Sequence, residues 1–199
     1  MKTRLIAVVM GMGLAVSLPA LAQSTTCSPQ ISCTLTVAQN LAVDSGFELG
    51  CPAWQFAPGS SREYPGPCSL NGTYCPKTDA LMRASGTSTG TYFQQDINMA
   101  PTGCRLNPYR VSFYIHVRST SPSTWDQATV EVLNPSTGAV LQTVGVYNTF
   151  TPYDWAYQVV SLSSTAAWPQ WVRLRIRATF ATPSSPAQFR FDDVRFWGI

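Results

Sequence analysis

The sequence predicts an all-β antiparallel sandwich of the jelly-roll kind, and three observations predict it. Several segments alternate apolar and polar residues with period two. No stretch beyond residue 22 sustains a helical period. Turn residues punctuate the chain at short intervals, as in Asn134-Pro135-Ser136-Thr137-Gly138. The composition agrees. The chain has 199 residues, 12% of them charged and 12% aromatic, with 15 prolines and 13 glycines. Such a chain is one domain with a short appendage. The same figures exclude a disordered chain, a coiled coil and a Lys-rich nucleic-acid binder.

Residues 1–22 read as a secretory signal peptide. Lys2 and Arg4 give a positive start, and Leu5 to Val16 is an apolar run broken only by Gly11 and Gly13. Leu18-Pro19-Ala20-Leu21-Ala22 supplies an A-x-A cleavage site before Gln23. The run is too short to span a bilayer, so no membrane span is expected. The expected location is the periplasm or the extracellular space. Without Lys2 and Arg4, eleven basic residues face ten acidic ones, a net charge of +1. Lys77 is the one remaining lysine, and no nucleic-acid partner is expected.

Residues 23–39 read as a Cys-pinned extension and residues 40–199 as the jelly-roll domain. Cys27, Cys33, Cys51, Cys68, Cys75 and Cys104 all lie before residue 105, so the N-terminal half is expected to be disulfide-rich. Short spacing favours Cys27–Cys33 and Cys68–Cys75, which leaves Cys51 with Cys104, but sequence does not choose among the pairings. Zinc is disfavoured, because no CxxC occurs.

The predicted strands follow in order near 91–97, 110–118, 127–133, 139–147, 155–162, 171–180 and 188–197. In the second, Val111, Phe113, Ile115 and Val117 share one face, and Ser112, Tyr114 and His116 the other. In the sixth, Val172, Leu174 and Ile176 oppose Arg173, Arg175 and Arg177. The last strand slips phase: Phe189 and Phe191 are apolar at odd positions, Val194 and Phe196 at even ones. A strand does that only through a bulge or bend at Asp192-Asp193. Two adjacent carboxylates at such a place need a partner.

The segment Asn40-Leu41-Ala42-Val43-Asp44-Ser45-Gly46-Phe47-Glu48-Leu49-Gly50, followed by Trp54, resembles the opening strand of galactose-binding-like jelly rolls. That group includes many carbohydrate-binding modules, and MAM-type adhesion domains have a related look. Phe189-Arg190-Phe191-Asp192-Asp193-Val194-Arg195-Phe196 is similar to the family's closing strand. Between them Asp79–Arg83, Tyr92–Gln95 and Tyr109–Tyr114 fall in the family's order. The stretch from Cys51 to Cys75 departs from the pattern. The resemblance implies a sandwich that binds a glycan on a concave sheet face or at loop tips. It also implies a structural calcium held by Glu48, by Asp192 or Asp193, and by the carbonyl of Gly46. Oxygen-only ligands suit that cation. The alternative is that the acids pair with Arg190, Arg195 or Arg83.

The usual catalytic constellations are missing. His116 is the only histidine, and no Gly-x-Ser-x-Gly elbow, zincin pair or phosphate loop is present. Binding is therefore the expected role, through exposed aromatics that stack on sugar rings. The candidates are Tyr114 and His116 with Arg118 beside them, and Trp125, Tyr153 and Trp168 in turn-rich stretches. Trp54, Trp155 and Trp197 read as core or sheet-end packing. Arg173, Arg175 and Arg177 form a line of charge at ~6.6 Å spacing. One reading is an anionic glycan or surface polymer as partner; the other is cross-strand pairing with Glu131, Asp126 or Asp154. The expectation is a secreted, non-catalytic carbohydrate-binding or surface-adhesion protein without a separate catalytic domain. The alternatives are a structural envelope or matrix protein that binds another protein, and a small glycan-active hydrolase or lyase.

Overall fold

The computed structural model describes residues 40–49, 53–64, 74, 76–84, 89–99 and 108–198. The expected signal peptide, the expected extension at 23–39 and all six cysteines lie outside the described residues. The strands are β1 (Gln55–Phe56), β2 (Ser60–Glu63), β3 (Asp79–Arg83), β4 (Gly90–Asn98), β5 (Tyr109–Arg118), β6 (Gln127–Leu133), β7 (Val140–Asn148), β8 (Tyr153–Ser161), β9 (Trp171–Thr179) and β10 (Gln188–Gly198). They form two five-stranded antiparallel sheets, ordered β1-β4-β9-β6-β7 and β2-β3-β10-β5-β8. Among the described residues no helix is long and apolar enough to cross a membrane.

The alternation read from the sequence sets the core. Val111, Phe113, Ile115 and Val117 of β5 meet Val172, Leu174, Ile176 and Ala178 of β9, all buried in one cluster with Phe189, Phe191, Val194 and Phe196 of β10. Each such side chain contributes about 1.5–3 kcal/mol on burial. The expected strands are present, with ends displaced by at most two residues.

The phase slip in β10 is a bulge. The register against β5 shifts between Asp192 and Arg195, and Asp193 takes a left-handed backbone at φ 48°. The distortion returns Val194 and Phe196 to the core.

The opening segment differs from its expected strand. Asn40 makes one isolated bridge with Trp197, and Leu41 N donates to Phe196 O at 2.6 Å. The chain then turns, with Asp44 and Phe47 both left-handed at φ 52° and 57°. A strand cannot carry two such residues three apart. The turn is closed by Asp44 Oδ1, which accepts from Leu49 N at 2.8 Å, and by Phe47 N, which donates to Asp44 O at 2.9 Å. The buried amide of Gln95 stands in for a strand partner: its Oε1 accepts from Val43 N at 2.7 Å and its Nε2 donates to Val43 O at 2.9 Å. Phe47 fills the sheet end against Trp54, Phe56 and Phe93.

Candidate functional site

On the outer face of the β1-β4-β9-β6-β7 sheet, β9 projects Arg173, Arg175 and Arg177, and the neighbouring strands decide what each one meets. Arg173 lies opposite Asp96 of β4 and is clamped in bidentate fashion, Nε to Oδ1 at 2.6 Å and Nη2 to Oδ2 at 2.9 Å. These bonds hold the Arg173 pKa above its ordinary value, against a smaller effect of burial. Arg175 lies opposite Glu131 of β6 and reaches its Oε1 through Nε at 2.8 Å and Nη2 at 2.7 Å. Arg177 reaches the same oxygen through Nε alone, at 3.2 Å. The cross-strand pairing considered from sequence is therefore realised at Glu131. Asp126 is engaged elsewhere, accepting from Ala181 N and Ser185 Oγ. Asp96 is the partner that sequence missed.

The same face carries Gln94, whose Nε2 donates to Gln55 Oε1 at 3.0 Å. Tyr92 and Trp171 are exposed toward opposite ends of the β4–β9 pair. Planar donors and acceptors thus lie fixed between two free aromatic rings. Sugars need both elements: aromatic rings for their CH faces, planar hydrogen-bonding groups for their hydroxyls.

The outer face of the β2-β3-β10-β5-β8 sheet receives Tyr114, His116 and Arg118. Tyr74 lies over it, stacked on Tyr114 at 4.0 Å and tilted against Trp155 at 5.5 Å. Its hydroxyl donates to Asp192 Oδ2 at 2.6 Å. Burial and that bond, reinforced by the carboxylate charge, push the Tyr74 pKa well above the usual tyrosine range. Trp155 is buried, as expected, but beneath this cover beside His116 rather than in the core cluster. Asp79 is fully buried and meets Arg190 Nη1 at 3.0 Å. Burial pushes the carboxyls of Asp79 and Asp192 up to about 6, and hydrogen bonds only partly oppose it. Burial lowers the His116 pKa, and its Nδ1 has no hydrogen-bond partner among the described residues. Tyr157 stays exposed at the rim and Arg118 at the end of β5.

The turn candidates separate. Trp125 is 76% exposed. Tyr153 is half-buried and packs edge-on against Tyr147 at 5.7 Å. Trp168 does not serve as an exposed platform. It ends a short 3-10 turn, Thr165–Ala167, which folds it into the core at 8% exposure.

The four residues of the implied calcium site divide as well. A Cβ on Gly46 would lie 3.7 Å from Asp192 Oδ1 and 3.7 Å from Glu48 Cγ, so Glu48 and Asp192 flank one glycine. Asp193 is held by Arg195, at 2.8 Å and 2.7 Å, and its Oδ1 also accepts from Ser45 Oγ at 3.4 Å. Among the described residues no three His, Cys, Asp or Glu side chains form a metal cluster. Glu48 and Asp192 remain as two carboxylates beside Gly46, oxygen donors of the kind calcium takes. The raised pKa of Asp192 marks a buried carboxyl short of positive charge.

Tyr92, Gln94, Asp96 and Trp171 were legible from alternation once β4 and β9 were neighbours. Arg190 was legible as the outward residue between Phe189 and Phe191, but Tyr74 and its pairing with Asp192 had no such signal.

No family model matches the chain, and no curated protein matches it. Solved structures do. One is a family 61 carbohydrate-binding module in complex with β-1,4-galactotriose, at a TM-score of 0.53 and 12% identity over 81% of this chain and 99% of that one. A family 16 carbohydrate-binding module matches at 0.51 and 19% identity, over 79% and 99%. A Stig cyclase from Fischerella sp. TAU matches at 0.51 and 12% identity, over 81% and 98%. The chain therefore shares the β-sandwich fold of these structures, carbohydrate-binding modules among them.

Proposed function

We propose that this chain is a secreted, non-catalytic glycan-binding domain that holds its ligand on the outer face of the β1-β4-β9-β6-β7 sheet. One observation carries the reading: that face presents an ordered array of arginine, carboxylate and glutamine groups between exposed Tyr92 and Trp171. The fold neighbour solved with a galactotriose supports the ligand class. The opposite face is a poorer platform, because Tyr74 covers its middle. A catalytic role finds no support in His116, whose Nδ1 is buried with no hydrogen-bond partner among the described residues. A glycan array probed with the purified chain tests the reading. Tyr92→Ala combined with Trp171→Ala should abolish retention, while Tyr157→Ala should leave it intact. Retention unchanged by the double variant, or lost only with Tyr157→Ala, would overturn the assignment of the face.

We also propose a structural calcium bound by Glu48, Asp192 and local carbonyls, with Asp193 left to its arginine. Its role is to pin the opening turn to the β10 bulge. Metal analysis and melting in calcium against chelator check it. Glu48→Gln should remove the calcium-dependent rise in melting temperature and Asp193→Asn should not.

A further inference from the structure

The three arginines of β9 are not equivalent. Arg173 has Asp96 across from it and Arg175 has Glu131. The cross-strand neighbours of Arg177 are Tyr92 on β4 and Thr129 on β6, neither of them charged. Among the described residues its one ionic contact is a shared oxygen of Glu131, already met twice by Arg175. The row therefore holds three guanidinium groups against two carboxylates. The terminal nitrogen pair of Arg177 makes no hydrogen bond among the described residues, and its side chain is 43% exposed.

That free fork opens on a depression of about 300 Å³ lined by Gly90, Thr91, Tyr92, Arg175, Arg177 and Thr179, which is at the small end of ligand sites. Gly90 keeps the edge of the depression low, since it lies opposite Thr179 at the end of β4 and carries no side chain. Tyr92 supplies an exposed ring beside the guanidinium. A sugar hydroxyl offers a fork one acceptor oxygen. A carboxylate offers two in a plane, matched to the two parallel N–H groups. A surplus cation, a planar fork and an adjoining aromatic ring together match a pyranose that bears a carboxylate.

We propose that Arg177 and Tyr92 form an acid-selective subsite: the glycan on this face contains a uronic acid, whose carboxylate is held by the Arg177 fork and whose ring lies against Tyr92. The proposal rests on the assignment of the glycan to this face and names the sugar class bound there.

The test uses the purified chain and oligosaccharides of galacturonate, glucuronate, mannuronate and guluronate, each paired with its carboxyl-reduced neutral counterpart. Sulfated dextran serves as a control for charge alone. At least one uronate should bind about tenfold or more tighter than its neutral partner, the scale of a single charge-assisted hydrogen bond, and more tightly than the sulfated polymer. Arg177→Gln should bring the affinity for the uronate down to that for its neutral partner, and Arg118→Gln on the other sheet should leave the difference in place. Tyr92→Ala should weaken acid and neutral forms together. Equal binding of every acid and neutral pair overturns acid selectivity but leaves glycan binding standing. No binding of any member overturns both. Preference for sulfated dextran, or a preference that survives Arg177→Gln, shows nonspecific charge attraction and overturns the subsite.

Discussion

The two outer faces of this sandwich start from the same rule and end differently. In both, alternate residues of a central strand point away from the core. On the β1-β4-β9-β6-β7 sheet they meet solvent, and charge is met by charge at the surface. On the β2-β3-β10-β5-β8 sheet they meet Tyr74, and Asp79 and Asp192 are buried beneath or beside it. Alternation decides which side of a sheet a residue occupies. It does not decide whether that side is wet. The Arg173–Asp96 pair on the first face is screened and adjustable, whereas the Arg190–Asp79 pair on the second is a structural element.

The largest test of that contrast is to remove Arg190. Its side chain is 13% exposed, and Asp79, its partner, is 0%. Arg190→Leu leaves a buried carboxyl without its cation. The expected loss is about 3–5 kcal/mol in denaturant unfolding, the range for breaking a buried pair by taking one partner. The double variant Arg190→Leu with Asp79→Leu should recover most of it. A loss below about 1 kcal/mol would show that this face is as wet as the other.

A second test uses pH in the presence of chelator. The carboxyls of Asp79 and Asp192 sit at about 6 in the folded state, against an ordinary aspartate value of 3.8. Between roughly pH 4 and 6 the folded chain therefore binds more protons than the unfolded one, and stability falls as pH rises through that window. Each carboxyl is worth up to about 3 kcal/mol across it. His116 acts in the opposite sense. Its folded pKa lies below 6.5, so its contribution is present at neutral pH and is lost as pH falls through 6.5. The chelated protein should gain about 1–3 kcal/mol on going from pH 7 to 5. Asp79→Asn should shrink the gain and His116→Gln should enlarge it. A loss of stability on acidification, unaltered by Asp79→Asn, would mean these groups are solvated.

Much of the fold was legible because it depends on period two and on turn residues, which are local. The bulge at Asp192-Asp193 was legible for the same reason: a phase slip in one strand is visible without knowing its neighbours. The opening turn was not, since Asp44 and Phe47 read as strand until the side chain of Gln95 is seen replacing a strand partner. The site divided along the same line. The outward direction of Arg173, Arg175 and Arg177 follows from β9 alone, but which of them lacks a carboxylate across from it depends on the registers with β4 and β6. Tyr114 and His116 were read as outward-facing, and they are. Their cover comes from Tyr74, forty residues earlier than Tyr114, and no periodicity links the two.

The smallest expected effect is on the open face, at the pair of Arg173 and Asp96. Its geometry is good, with both carboxylate oxygens engaged. Its side chains are nevertheless 27% and 40% exposed, so water and salt compete for both ions. Exposed pairs of this kind are worth about 0.2–1 kcal/mol. Asp96→Ala should therefore cost less than about 1 kcal/mol, and the loss should shrink further in high salt, because screening removes what the pair contributed. The cost of Arg190→Leu should hold nearly constant over the same salt range, since ions do not reach a buried carboxyl. Comparing the two variants in low and high salt separates the faces by mechanism rather than by size alone. If Asp96→Ala proved as costly and as insensitive to salt as Arg190→Leu, the arginine row would be a buried structural network, and that face would have no free ions to offer a ligand.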